Sequence, residues 1–483
     1  MLPAMLRTFL FLLLLPLPAL AQGARLGTAD STLVANVLAA EDRRDASDPA
    51  LPRALKHGDV RIRTLAARAL GRINDTLFAS RDSLPPVAPP PVWPEPAWRL
   101  RFRALTPTSD CGAVKPALSD SAWPVRLRAA TLAGTRCTGD ADVTATLRGW
   151  IDPMPKNTTK RAAGGVSWHA AAAALPALAR LEPATARAAL PRFATHNAWP
   201  LRRAAARAAA VLGDTARLVS LVADENGNVQ EAAIEALAKL AGHEADSAYI
   251  EVLRDQKHPH PQAARVAGDA LRGSPRDDAT YEARKAFEFW NRRPVDSERD
   301  VRRYLLAASG GSAEEERPLN KREPPPPEAV TLALGADVRL RVTMQGASGG
   351  GAFVVRLRGD VAPIMAARIL ALVRKGYYDG LTWHRVEHDF VIQGGSAGDN
   401  EYVGYDTYLH DELGTLDHPR GTVGMSTRGH DAGDAQWFVN LRDNPRLRRD
   451  YTVFGEVVEG MDVVDGIMEL DRIARIEVVR PPA

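Results

Sequence analysis

At 483 residues the chain is too long for one ordinary domain and suggests two or three. With 45% hydrophobic and 25% charged residues its composition is globular, and it has no long polar tract. A net charge of +3 gives no reason to expect nucleic acid or any strongly charged ligand as partner.

The first 21 residues read as a signal peptide. Arg7 gives a positive start, Thr8 to Leu20 an apolar core, and Ala19-Leu20-Ala21 a small-x-small cleavage site. The apolar run is short and interrupted by Pro16 and Pro18, which suits cleavage better than a retained anchor. No later segment could span a membrane. An exported protein, in a bacterial periplasm or cell envelope, is therefore expected. Disulfides persist in such a compartment. Cys111 and Cys137 fall in the same helical region, and whether they bridge stays open because the geometry is strict. Two cysteines without nearby paired histidines make no zinc site.

From about residue 30 to 305 the pattern is helical and recurs. Val60 to Gly71, Val125 to Gly134, Leu201 to Gly213 and Val229 to Leu237 share a branched apolar residue or Leu, a polar residue, and small alanines at helical spacing. Gln262 to Leu271 is a degenerate fifth copy. A Gly after Leu is expected to end several of these helices. The segments resemble the HEAT-repeat family, whose second helix carries this signature. The resemblance implies an α-solenoid of stacked helix pairs with a concave face, serving as a docking surface or a spacer. A plain helical bundle is the competing architecture. A Pro-rich insert, Pro85 to Pro96, interrupts the first half. Asn157-Thr158-Thr159 fits a glycosylation acceptor, a short motif that is common by chance.

Residues 306–329 have linker chemistry: Gly310-Gly311-Ser312, then Glu314 to Glu316, then Pro324 to Pro327. Beyond it, over 330–483, the period changes to two. Val338 to Val342 and Ala352 to Leu357 alternate as strands, with a turn at Gly349 to Gly351. Pro363 opens a helix to about Lys375, a second runs from about Met461 to Leu470, and Ile473 to Val479 is a last strand. Many short antiparallel strands with two helices suggest a closed β-barrel with helical caps.

Two segments of this region stand out. The first is Trp383-His384-Arg385-Val386, a short loop, then Phe390-Val391-Ile392-Gln393-Gly394-Gly395. The second is Gly421 to Met425 followed by Gln436-Trp437-Phe438-Val439. Gln436 and Phe438, two residues apart on a strand, share a face. Both segments resemble the cyclophilin family, whose motifs they match in order and spacing. Gly376 to Gly380, Asp411-Glu412, Asn444-Pro445, Tyr451 to Gly455 and Gly460-Met461 support the match, which covers about 335–480.

The resemblance implies peptidyl-prolyl cis-trans isomerase activity, without metal or cofactor, on proline-containing polypeptide clients. It implies that Arg385, Gln393 and Phe390 are catalytic, and that His384, Val391, Thr427, Gln436, Phe438, Leu447 and Tyr451 bind substrate. Phe390, Val391, Phe438 and Leu447 fall at the proline-pocket positions. Three departures are visible. Thr427 stands where the family usually has Asn, Arg446 stands where several relatives have Trp, and Glu401 and Val403 replace loop glycines. The Arg446 departure implies weak cyclosporin sensitivity. His410, His418 and His430 fall in loops without ligand spacing and read as surface residues. A non-catalytic scaffold that binds Pro-containing segments, with a protein partner on the helical repeats, is the competing function.

Overall fold

A computed structural model describes residues 27–75, 87–152, 168–345 and 351–479. The expected signal peptide, the Asn157 acceptor motif and most of the Gly349 turn lie outside the described residues. Among the described residues no helix is long and apolar enough to cross a membrane.

An all-helical region comes first. It opens with α1 (Thr28–Asp42), α2 (Ala50–Leu55) and α3 (Val60–Ile73), and continues with α4 (Trp98–Ala104), α5 (Cys111–Ala117), α6 (Trp123–Arg136) and α7 (Ala141–Ile151). Next come α8 (Trp168–Leu181), α9 (Pro183–Ala194), α10 (Trp199–Leu212), α11 (Thr215–Val222) and α12 (Gly227–Ala241). The last are α13 (Asp246–Arg254), α14 (Pro261–Ala270), α15 (Asp277–Asn291) and α16 (Arg299–Ala308). Their starts are chemical. Asp59, Asp140, Asp214 and Asn226 cap free backbone N–H groups, and Pro124, Pro200 and Pro261 sit in the first turn, where no N–H is needed.

The helices form two rows. In one, α6, α8, α10, α12, α14 and α16 pack each on the next; in the other, α11, α13 and α15 do the same. Alanines make this possible: Ala205, Ala206, Ala208 and Ala209 on α10 are all fully buried. Gly134 is a closer case. A Cβ there would sit 2.9 Å from the Ala177 Cα on α8, so glycine sets the spacing of those two helices. The expectation that Gly ends these helices holds for Gly213, the left-handed residue after α10. It fails for Gly71 and Gly134, which lie inside α3 and α6.

The second region is an antiparallel sheet of eight strands. They are β1 (Arg339–Met344), β2 (Gly351–Leu357), β3 (Arg385–Val386), β4 (Val391–Gly394), β5 (Thr422–Met425), β6 (Trp437–Asn440), β7 (Val453–Glu459) and β8 (Ile473–Val479). The order is β3-β4-β6-β5-β7-β2-β1-β8. Its two ends meet beyond the named strands: Thr382 bridges Arg472, and Trp383 N–H donates to the Asp471 carbonyl at 3.0 Å. Two helices accompany the sheet, α18 (Pro363–Arg374) and α19 (Met461–Gly466), the latter shorter than the sequence suggests. A short helix α17 (Pro327–Ala333) precedes them and packs on α18 and α1.

Two large apolar cores form among the described residues, and their border is unexpected. Residues 105–306 build one core, whereas Leu33, Val37, Leu51, Ile62 and Leu65 of α1–α3 join Leu332, Phe353, Met365 and Ile476 in the other. The repeat region expected over 30–305 thus spans two cores. A buried polar cluster fixes α1–α3 on the sheet region. Arg72 pairs with Glu41 at 2.5 Å and donates to the carbonyls of Leu413, Val361 and Glu412 at 2.6, 2.7 and 3.0 Å.

The segment expected as a linker is tied down as well. Arg317 pairs with the buried Asp296 at 2.9 Å, Glu316 takes Arg302 and Arg303, and Asn320 donates to the Pro294 and Asp406 carbonyls. The Pro-rich insert crosses the sheet region, where Trp93 Nε1 donates to the Val457 carbonyl and Arg420 to that of Pro94. Cys111 and Cys137 form a disulfide, closing the question left open by the sequence.

Candidate active site

The hairpin β3–β4 and strand β6 place the candidate residues. Register pairs Arg385 with Gln393 across β3–β4, and Gln393 with Phe438 across β4–β6. Three neighbouring strands thereby bring polar and apolar groups from distant stretches of the sequence to one surface. Arg385, Phe390, Val391, Gln393, Thr427, Gln436, Phe438, Leu447 and Tyr451 all line one cavity of about 270 Å³.

The apolar end of this cavity is built by Val391, Phe438 and Leu447, with Phe390 and Tyr451 against them. Tyr451 meets the Phe438 ring edge-on at 5.6 Å. The polar end is a chain of donors and acceptors. Arg385 Nη1 donates to Gln393 Oε1 at 3.3 Å, Gln393 Nε2 to Gln436 Oε1 at 3.2 Å, and Gln436 Nε2 to the carbonyls of Val403 and Glu401 at 3.0 and 3.2 Å. Gln393 and Gln436 are buried, so each is fixed by its partners. Arg385 keeps 38% of its side chain exposed, enough to meet a ligand. Its charge is balanced by Glu401 at 3.4 Å and Glu387 at 3.5 Å.

His384 stands apart from the other sequence-derived candidates. It lines a separate adjoining cavity, shared with Arg385, instead of the one that holds Phe390 and Phe438. It is 6% exposed and neither ring nitrogen has a hydrogen-bond partner. Burial pushes its pKa down to about 4, against the opposing pull of Glu469.

His418 corrects the sequence reading. It was expected at the surface, yet only 2% of it is exposed. Its ring stacks on Phe438 with centroids 6.0 Å apart, and Nε2 lies 3.1 Å from the Tyr451 carbonyl. It thus backs the apolar end of the cavity. Burial lowers its pKa to about 4, so it is neutral at neutral pH. Buried aromatic contact, rather than a ligand motif, holds it, and no local signal announces that.

Three further groups line the cavity; the sequence marks Arg446, but Ser297 and Arg428 escape a reading of motifs. Arg446 lies over the Phe390 ring at 4.3 Å, so a cation covers the face where several relatives have Trp. Ser297 reaches the cavity wall from the helical region. Arg428, also in the wall, is anchored by Asp300 at 2.9 Å and the Ser297 carbonyl at 2.8 Å. The helical region therefore forms part of the cleft. It also grips the loop beside Phe390: Arg103 pairs with Asp389 at 2.8 Å, and Trp98 and Phe102 flank His388. Among the described residues no three His, Cys, Asp or Glu side chains come together as a metal site.

A family model described as cyclophilin type peptidyl-prolyl cis-trans isomerase/CLD matches residues 340–480. A peptidyl-prolyl cis-trans isomerase-like 1 of Rhizopus delemar is 33% identical over 137 residues, covering 27% of this chain and 83% of the relative. A peptidyl-prolyl cis-trans isomerase of Streptomyces antibioticus is 38% identical over 128 residues, 24% of this chain and 77% of the relative. A probable peptidyl-prolyl cis-trans isomerase of Brucella suis is 37% identical over 130 residues, with 66% of that protein covered. Among solved structures, a cyclophilin type isomerase of Cryptosporidium parvum aligns with a TM-score of 0.28 and 22% identity, over 30% of this chain and 99% of that one. The same protein has also been solved in the presence of the dipeptide Ala-Pro.

Proposed function

Because this chain belongs to the cyclophilin-type peptidyl-prolyl cis-trans isomerases, we propose that it speeds X-Pro isomerisation in exported client proteins, with its helical region as the client-docking or tethering surface. The observation that carries the catalytic part is the cavity itself. An exposed guanidinium, fixed by Gln393, faces an apolar cage of Val391, Phe438 and Leu447.

The chemistry follows from the amide. Rotation about the X-Pro bond is opposed by a barrier of about 18–20 kcal/mol from resonance. A catalyst must bind the twisted amide better than either planar form. When the amide twists, its nitrogen becomes pyramidal and gains a lone pair. The cage holds the proline ring, and the Arg385 guanidinium donates to that nitrogen. Gln393 and Gln436 fix the donor before substrate arrives, so little reorganisation is needed in the twisted state. No bond to carbon is broken and no proton is transferred.

The helical region reads as a HEAT-like solenoid because its helices stack in two rows with recurring alanine faces. The sheet reads as a closed barrel because its ends are hydrogen-bonded through 380–383 and 470–473. The disulfide supports an oxidising compartment. The scaffold reading differs in one respect: it needs no turnover.

The test is peptide isomerisation followed by NMR exchange, with the full chain and its Arg385→Ala form. The full chain is the proper sample, since α1–α3 share the core of the sheet region. Loss of about 10²-fold or more in Arg385→Ala, the usual cost of removing one charge-stabilising donor, is expected. A folded parent chain without turnover on any X-Pro sequence would leave the scaffold reading.

A further inference from the structure

A second cavity of about 410 Å³ lies between the inner row of helices and the sheet. Arg203 and Arg207 of α10, Glu231 of α12 and Arg265 of α14 line one side, and His384 and Asp399 the other. Arg385 and Glu401 line both this cavity and the catalytic one, so the two meet at the arginine that serves the amide. A polypeptide with its proline in the apolar cage has the second cavity within reach of its flanking residues.

The carboxylates of this cavity are already engaged. Glu469 is paired with Arg203 at 2.5 Å, and Glu231 and Glu235 share Arg265 at 3.0 and 3.7 Å. Glu387 and Glu401 share Arg385, and Asp399 accepts from Thr382 at 2.5 Å. Two donors are left over. Arg207 lies four residues after Arg203, on the same helix face, and among the described residues it makes no ion pair or hydrogen bond. His384 has no partner for either ring nitrogen although it is more than nine-tenths buried. A buried imidazole left without partners is destabilising. Both groups line the same cavity. Arg207 is exposed, so its guanidinium is open to a ligand, and the neutral His384 ring has one N–H to donate.

We propose that this cavity is a client-binding subsite that takes an acidic side chain flanking the proline, through the Arg207 guanidinium and the His384 ring. The proposal rests on the isomerase reading and names a substrate class for it: clients with Asp or Glu within a few residues of the X-Pro bond. The helical region then selects clients by its inner face.

The experiment uses the full chain and fluorescein-labelled peptides with one Ala-Pro core. Each peptide carries a single Glu, Gln or Lys at successive positions on either side of the core. KM is read from exchange kinetics and Kd from anisotropy. A Glu peptide at the matching position should bind about tenfold more tightly than its Gln counterpart, the scale of one charge-assisted contact, with kcat unchanged. In Arg207→Gln that preference should vanish, while the Gln peptide and a bare tetrapeptide are handled as before. Equal affinity for Glu and Gln peptides at every position, a preference for Lys, or a preference that survives in Arg207→Gln would overturn the proposal. If no peptide is turned over, the isomerase reading fails by itself, and anisotropy still decides the subsite.

Discussion

Replacing His384 with leucine separates the cost of a buried imidazole from any role in binding. In the folded chain its pKa is about 4, mainly through burial, with Arg385 assisting and Glu469 opposing. An unfolded histidine titrates near 6.5. The folded pKa is therefore depressed for a base: the unfolded chain takes up the proton first as pH falls, and stability present above about 6.5 is lost down to about 4. At pH 5 the expected loss is about 1.5 units times 1.36 kcal/mol, or about 2 kcal/mol. His384→Leu cannot take up that proton. At pH 7 it should be no less stable than the parent, since no hydrogen bond is lost. At pH 5 its advantage should grow by about 2 kcal/mol. Urea unfolding followed by tryptophan fluorescence at both pH values gives the difference, and an NMR titration of the His384 ring gives the pKa directly. A ring that titrates near 6.5, or a stability gap that does not change with pH, would refute the reasoning.

Arg72→Met should destabilise the chain by about 3–5 kcal/mol in urea unfolding, because it leaves Glu41 charged, buried and unpaired; adding Glu41→Gln should recover a large part of that. Glu412 behaves oppositely to His384. Burial raises its carboxyl to about 7 while it caps the Ile364 and Met365 N–H groups at the start of α18. Its contribution is full below the unfolded value near 4.5 and is lost as pH rises through about 7, so Glu412→Gln should flatten the melting temperature over that window. Reducing the disulfide, or replacing both cysteines by serine, should cost about 3 kcal/mol for a loop of this size, read as a lower melting temperature for the helical core.

What the sequence discloses is what the chain keeps local. The hairpin Arg385 to Gly394 carries its own alternation, so Arg385, Gln393, Phe390 and Val391 could be placed from spacing and motif, and the structure brings them to one cavity. Periodicity likewise reveals the repeated helices. The rest depends on packing across long separations. Arg428 meets the Ser297 carbonyl and Asp300, more than a hundred residues away along the chain, and nothing in either segment marks the other. His418 looked like any loop histidine until its ring lay against Phe438. His384 lines a cavity whose other wall is helical, a wall the family motifs do not include. Gly71 and Gly134 followed the pattern of helix ends yet lie inside their helices, and at Gly134 the missing Cβ sets a helix-to-helix spacing that only the packed structure reveals.

The shared core of α1–α3 bears on how the protein is made. Their apolar faces, Leu33, Val37, Leu51, Ile62 and Leu65, find their partners among residues 329–476. A ribosome releases the first helices long before the strands that cover them. Contacts of such long sequence separation form slowly and leave apolar surface uncovered in the interval. An emerging chain must carry that surface through synthesis, and through any translocation, until its last strands arrive. An enzyme that would hasten the folding of other proteins is thus, in its own biogenesis, a natural customer for a holdase.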